Sequence, residues 1–535
     1  MIRLERTFHI GSPPKDIWPL VANTDSLNRE LGLPNVRYSF EEKETGGARV
    51  IAKASTLGQT LEWIEHPFEW TTPEEYIVER EFLQGPFRRM VLGTRLVPDG
   101  TGTRVEGYAE IEPKGLLGRI ASKFGVVRSF QKFGDVLGNF ESYLRRESKT
   151  PYPARAGRIV VDEGYLAEGE RKLKERGAAP SVIPLMVEHL RTAPEEAVVG
   201  MRPFEMADRW EKDRLTVMRT FLHATRVGLV VLTWSVICPS CRGVKNESER
   251  LLNLPSDTLC ESCQVRFRSN FDRAIEVRFT VHPAIRNAEH QTFCIGGPMN
   301  TPHIFAQKRV RKGDPDGMEI DLPAGVYLVT SPEAAEPVIF EVTAEAKEDA
   351  GEITLEKEGI RLHPNLFHPG RIRFRTENHT EREGLVRIEQ KNWSDIAASA
   401  ALVTSLQDFR DFFAHEMLSP GEQLSIQSLT LLFTDLKQST ELYERIGDAL
   451  AYALVRKHFG MLTRIIRDHD GAVIKTMGDA VMAAFSVPAR AVQAATAIQK
   501  EIVESPMEIK LGIHTGPCIA VTSNEKLDYF GSCVN

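Results

Sequence analysis

The alternation of apolar and polar positions divides the chain into segments of different character. Strand-like runs at 3–10, 75–82 and 88–96 come with turn signals at Pro98-Asp99-Gly100 and Gly102, and Ser12-Pro13-Pro14 starts a helix. Phe130, Phe133, Leu137, Phe140 and Leu144 follow at spacings of three and four, which predicts one long helix with an aromatic face. Residues 159–236 read mainly helical, with 207–224 as the clearest stretch, and run into the apolar segment 227–237. From 271 to 393 the pattern changes to strands, at 274–281, 318–322, 325–330, 338–342 and 371–375. The turns at 313–317 and 323–325 punctuate them, which predicts a β-sandwich-like domain. Leu402, Leu406, Phe409, Phe413 and Met417 share one face of a predicted connecting helix over 394–418, stopped by Ser419-Pro420-Gly421.

The last stretch is the most sharply patterned. A strand from 426 ends in Phe433-Thr434-Asp435, and a polar loop then opens a long helix running from Thr440 to about residue 470. Two strands, 472–476 and 480–485, flank a hairpin turn at Met477-Gly478-Asp479; a helix at 488–503 and a strand at 509–514 complete the series. The order βαββαβ is that of a ferredoxin-like sheet.

Composition narrows the classes of function. A hydrophobic fraction of 42% with 26% charged residues is globular usage and excludes large-scale disorder. A net charge of −7 argues against a nucleic-acid partner, which calls for a basic face. The amino-terminal residues offer no signal-peptide core. The longest apolar stretch, 227–237, is 11 residues, against the ~20 of a membrane span. A cytoplasmic protein without a membrane span is the expectation. The basic cluster Lys308, Arg309, Arg311 and Lys312 reads either as an anion site or, in the favoured reading, as a solvated hairpin tip.

Seven cysteines are too few for a disulfide scaffold, but four form the pairs Cys238/Cys241 and Cys260/Cys263, with 18 residues between the pairs. Two thiolates from each tight turn suit tetrahedral Zn²⁺, and four protein ligands leave no place for substrate. A structural zinc ribbon is expected, with redox dithiols or a lost metal as the alternatives.

In the last segment the hairpin is expected to bring Asp479 to the level of Asp435 on the neighbouring strand. Two carboxylates so placed can hold a pair of Mg²⁺ ions, which take oxygen ligands and bind substrate phosphates. Backbone N–H groups at the start of the 440 helix would face those phosphates. Taken singly, each aspartate reads equally as a turn residue.

Four motifs in order, LLFTDLKQST, VIKTMGDAVMAAF, GIHTG and DYFGSCVN, resemble the class III adenylate/guanylate cyclase catalytic domain over 426–535. The resemblance implies that Asp435 and Asp479 bind two Mg²⁺ or Mn²⁺, with the Leu436 carbonyl as an added ligand. It implies that Lys475 and Asp528 read the base and that Asn535 orients the ribose. Adenine offers an acceptor at N1 and a donor at N6, which an ammonium and a carboxylate complement; guanine reverses both. Lys475 with Asp528 therefore points to ATP, where family guanylate cyclases typically carry glutamate at the lysine position. The implied reaction joins the ribose 3′-oxygen to the α-phosphorus, releasing pyrophosphate and forming 3′,5′-cyclic AMP. In the family the site lies between two catalytic domains, so a homodimer is implied. The family also places an arginine four residues after the asparagine; this sequence stops at Asn535, so the domain is expected to be incomplete, which leaves the activity of this stretch alone open.

Two weaker resemblances precede it. FHIGSPPKDIWPLVANTDSLN, EHPFEW and the aromatic closing helix resemble the START-like lipid-binding and polyketide-cyclase superfamily, whose helix-grip fold often holds an apolar ligand. The plainer reading gives those aromatics to a packed core. The cysteine pairs followed by NFDRAIEVRFTVHPAIRN resemble uncharacterised regions found before some bacterial cyclase domains, which implies a regulatory role. The expectation is a multidomain α+β protein: helix-grip domain 1–148, helical segment 159–236, zinc ribbon 237–270, β-rich regulatory domain 271–393, connecting helix 394–420 and ferredoxin-like cyclase domain 426–535. Its function is expected to be adenylate cyclase under upstream control. The competing readings are a guanylate cyclase, an inactive nucleotide sensor, and a START-like carrier with a vestigial cyclase fold.

Overall fold

The computed structural model describes the whole chain apart from residues 43–47, 57, 149, 154–158, 239–242, 261–264, 289–291, 314–315, 333, 335, 392–396, 420, 504–506 and 535. It is a mixed α/β chain that divides into two compact units. The first comprises Met1–Arg158, Leu259–Val265 and Gln291–Asp395; the second comprises Ile159–Thr258, Arg266–His290 and Ile396–Asn535. Among the described residues, no helix is long and apolar enough to cross a membrane.

Among the described residues, the first unit is built on one sheet of 13 strands. The strands Ile2–Ile10, Gly102–Pro113, Phe87–Asp99 and Glu75–Gln84 run antiparallel in that order. The predicted long helix is present as Gly115–Leu144. Its stripe is used in packing: Phe133, Val136, Leu137 and Phe140 are buried, with Phe133 edge-on to Phe8 at 5.6 Å. The strands of the β-rich segment were expected to form a domain of their own. Instead Glu69–Thr71 pairs with Ile304–Val310, so the sheet continues into them. Side chains fix the join: Trp70 Nε1 donates to the Ile304 carbonyl at 2.9 Å, and Gln307 Nε2 donates to the Phe68 carbonyl at 2.6 Å.

The sandwich itself is present. A four-stranded sheet made of Asp316–Leu322, Gly370–Asn378, Ala350–Glu356 and Gly359–His363 shares a core with the continued sheet, through Tyr327, Phe340, Phe367 and Phe374. The basic cluster is neutralised: Arg309 pairs with Glu69 at 2.9 Å and Glu79 at 2.7 Å, and Lys312 with Glu381 at 2.7 Å.

In the second unit several local expectations need correction. The apolar end of the helical segment is a strand, Val230–Ile237, antiparallel to Ile275–Val281, which therefore leaves the sandwich. Val230, Val231, Thr233, Val236 and Ile237 are β-branched, and such side chains favour a pleated surface. The helix over 207–224 is two helices, Pro203–Arg209 and Arg214–Arg226, with Glu211 at φ 54° between them. Asp213 caps the second, accepting from the Thr216 N–H at 2.8 Å.

The connecting helix is likewise two short helices, Ala400–Thr404 and Gln407–Phe412. The break is held by Arg410, whose Nε donates to the Thr404 carbonyl at 2.8 Å. Pro420 of its predicted stop lies outside the described residues.

The carboxy-terminal sheet has the order Gly471–Met477, Ala480–Phe485, Leu424–Leu436, Ile509–Ser523, Lys526–Phe530, antiparallel throughout. The predicted 440–470 helix is broken at Gly447, φ 80°, into Ser439–Ile446 and Asp448–Asp468. Asp448–Asp468 and Pro488–Ile502 pack on the sheet through Leu462, Ile466, Ala491, Ala494 and Ile498 against Leu432, Val481 and Phe485. Gly471 is required there, because a Cβ would stand 2.3 Å from the Phe485 ring.

Candidate active site

The central strand Leu424–Leu436 supplies the first carboxylate. Its alternation puts Leu432 in the helix-side core, so Phe433 and Asp435 project from the opposite face, and Asp435 is exposed. The register sets Thr434 opposite Val481, and the Val481 N–H donates to Thr434 Oγ1 at 3.2 Å. Two residues before Val481, after Gly478 at φ 65°, the hairpin turn presents Asp479. The two aspartates thus occupy the same end of adjacent strands, as the spacing predicted. Leu436 is buried, and Asn535 lies outside the described residues.

Among the described residues, no group of three or more His, Cys, Asp or Glu gathers as a metal cage. Two carboxylates at one sheet end nevertheless suit Mg²⁺, which binds through one or two carboxylates and completes its shell with waters and substrate phosphates. The donor set fits a metal that arrives with a nucleotide. The zinc quartet is only half described. Cys238 and Cys260 are buried, and Cys241 and Cys263 lie outside the described residues.

Lys475 and Asp528 meet as expected from the motifs, at 2.8 Å between Nζ and Oδ2. Their strands are the two edges of the five-stranded sheet. In a flat sheet, four spacings would separate them by roughly 19 Å. The sheet therefore curls until its edges approach, and a bulge between Val473 and Lys475 accompanies the bend. Lys475 is 31% exposed, with its ammonium 5.4 Å from the centre of the Phe530 ring, while Asp528 is 10% exposed. Asp528 Oδ1 accepts from the Tyr529 N–H at 2.8 Å, which orients the carboxylate.

Two features of this region were not singled out in the sequence. His458, on the inner face of Asp448–Asp468, is buried with no hydrogen-bond partner for either ring nitrogen among the described residues. Burial lowers its pKa, and the charge of Asp479 acts against that shift. A histidine at a core position of a helix carries no signal of its own. The other feature is Phe530, whose place beneath the ammonium requires the curl.

Comparison with known proteins finds two matching families. Residues 422–535 match the family described as adenylate and guanylate cyclase catalytic domain, and residues 171–293 match a family of unknown function, DUF5939. The carboxy-terminal part of this sequence is thus a class III adenylate/guanylate cyclase catalytic domain, a family that takes in both purine specificities.

Similar solved structures include the catalytic core of a rhodopsin-guanylyl cyclase with converted specificity in complex with ATPalphaS, at 24% identity over 21% of this chain and 70% of that one, TM-score 0.20. The monomeric guanylyl cyclase domain of the RhoGC fusion protein from the aquatic fungus Blastocladiella emersonii matches at 22% identity over 21% and 74%, TM-score 0.20. The adenylyl cyclase CyaB from P. aeruginosa matches at 23% identity over 21% and 70%, TM-score 0.19. No curated protein matches the chain.

Proposed function

We propose that the chain is an adenylate cyclase that converts ATP to 3′,5′-cyclic AMP and pyrophosphate under the control of its upstream segments. The observation that carries the choice of purine is the Lys475–Asp528 ion pair, 2.8 Å long and open to solvent at its lysine end. An ammonium donates to adenine N1 and a carboxylate accepts from N6; guanine would meet a donor with a donor and an acceptor with an acceptor. Sites built on such hydrogen bonds reject the mismatched substrate strongly, because buried polar groups are left unpaired.

Asp435 and Asp479 would hold two divalent ions, whose chemistry is to acidify the ribose 3′-hydroxyl and take up charge on the triphosphate. Lys475 and Asp528 fix the purine and so aim the 3′-oxygen at the α-phosphorus. Asn535 is assigned to orienting the ribose. The bond formed is 3′-O–P, the bond broken is the one to the leaving pyrophosphate, and the hydroxyl proton passes to solvent. We assign the complete site to a homodimer, one copy supplying the aspartates and the other the purine-reading pair. The spacing of Cys238, Cys241, Cys260 and Cys263 keeps a structural Zn²⁺ as part of this proposal.

The test is cyclic-nucleotide formation from ATP by the full chain with Mg²⁺ or Mn²⁺. Product that disappears on chelation, and falls about a thousandfold or more in Asp435→Ala, is expected of a site that depends on its metals. Binding of ATP without product would replace catalysis by nucleotide sensing.

A further inference from the structure

The curl that brings Lys475 to Asp528 is bridged by a helix outside the catalytic sheet. Gln407–Phe412 lies over both edge strands, with Gln407 buried. On one edge, Gln407 Oε1 accepts from the Val473 N–H at 2.8 Å, two residues before Lys475. On the other, Arg410 donates to the Leu527 carbonyl at 2.5 Å and to the Tyr529 hydroxyl at 3.0 Å, the two residues that flank Asp528. Tyr529 is fully buried, its hydroxyl 2.8 Å from Thr404 Oγ1 and its ring 5.3 Å from the Arg410 guanidinium. Gln407 Nε2 is in turn held by Asp411 Oδ1 at 2.8 Å.

The two edge strands have no backbone pairing with each other. Their separation is therefore set by what lies across the gap, and two side chains of one helix reach both sides.

We infer that Gln407 and Arg410 are positioning residues for purine reading: they hold the Lys475 and Asp528 strands at the separation that a purine edge demands. The inference rests on the cyclase reading for the role of that pair. Neither residue touches the nucleotide; each acts through the strand it grips. The helix is held from its other side by the segment that matches the family of unknown function. Arg219 and His223 meet Asp408 at 3.4 and 3.3 Å, and Trp234 stands edge-on to Phe409 at 5.8 Å. A shift of that segment would accordingly be read as a change in purine affinity.

The test compares Arg410→Ala, Arg410→Lys and Gln407→Leu with the unaltered full chain, with thermal unfolding followed for each. Two readouts are taken with ATP and GTP: competition against a fluorescent purine nucleotide, and KM and kcat for cyclic-nucleotide formation. Loss of a charged hydrogen-bonding clamp is expected to raise KM for ATP about tenfold in Arg410→Ala and to lower the ATP:GTP preference by a similar factor, with kcat changed by less than about threefold. Arg410→Lys recovers part of the preference, and Gln407→Leu loses about threefold to fivefold, as for one neutral hydrogen bond.

Unchanged preference in folded Arg410→Ala and Gln407→Leu, or an equal loss for both purines, overturns the inference and leaves the cyclase reading standing. If Arg410→Ala does not fold, Arg410→Lys and Gln407→Leu decide by the same criteria. Failure of the unaltered chain to make product, with a binding preference for ATP that these variants erase, overturns the cyclase reading and keeps the positioning role. No purine preference in the unaltered chain overturns both.

Discussion

Two ion pairs in this chain use the same chemistry for opposite ends. In the first unit, Glu65 and Arg80 are 4% and 14% exposed. The carboxylate is saturated: Arg80 Nε donates at 3.0 Å, Trp63 Nε1 at 3.2 Å and Tyr38 Oη at 3.2 Å, and the guanidinium lies 5.2 Å from the Trp63 ring centre. In the second unit Lys475 has one carboxylate, one aromatic face and an exposure of 31%. A pair that is enclosed, with its carboxylate already accepting three hydrogen bonds, has little to offer a ligand, and breaking it leaves orphaned donors. A pair that is accessible and half-saturated can exchange its mutual contact for a purine edge at little cost. Exposure and spare bonding capacity, rather than the presence of charge, separate a site from a brace.

The contrast can be broken most forcefully at Lys475. Lys475→Glu is expected to lower the ATP:GTP ratio of kcat/KM by about a thousandfold, since the donor that adenine needs becomes an acceptor. Stability should fall by less than when the enclosed pair is broken, because the replaced side chain is 31% exposed. Glu65→Leu should do the reverse. It is expected to cost about 3 kcal/mol or more of unfolding free energy by stranding Arg80, with purine preference unchanged. Denaturant titration of the two variants side by side checks both; equal destabilisation would erase the distinction.

A smaller effect lies in acid. Burial raises the pKa of Glu79, but hydrogen bonds from Arg89 and Arg309 overcome it and hold the carboxyl at about 2, below its ordinary 4.5. A depressed carboxyl contributes stability that is fully present above the unfolded value and is lost as pH falls through the folded one. The first unit should therefore weaken between about pH 4.5 and about pH 2. Glu79→Gln should flatten that part of its stability profile. The smallest effect is expected at Phe530, where Phe530→Leu removes the aromatic face beneath Lys475 and should raise KM for ATP about fivefold.

The parts of the molecule that were legible in the sequence are those fixed by local spacing. Asp435 at a strand end, Asp479 in a two-strand turn and the helix at 488–503 each depend on neighbouring residues alone. What was not legible depends on partners far away. Nothing near Trp70 shows that it will bond the Ile304 carbonyl and join two expected domains into one sheet. The connecting helix has an unbroken apolar face in sequence, yet Arg410 turns back to the Thr404 carbonyl and splits it. Motif order identified Lys475 and Asp528, but only the curled sheet explains how residues on opposite edges meet.

The most direct test of the account is the ratio of kcat/KM for ATP and GTP in the unaltered full chain with Mn²⁺ or Mg²⁺. A pair that reads adenine by matched hydrogen bonds predicts at least about a hundredfold preference for ATP. Equal use of the two purines, or a preference for GTP, would contradict adenine reading by Lys475 and Asp528.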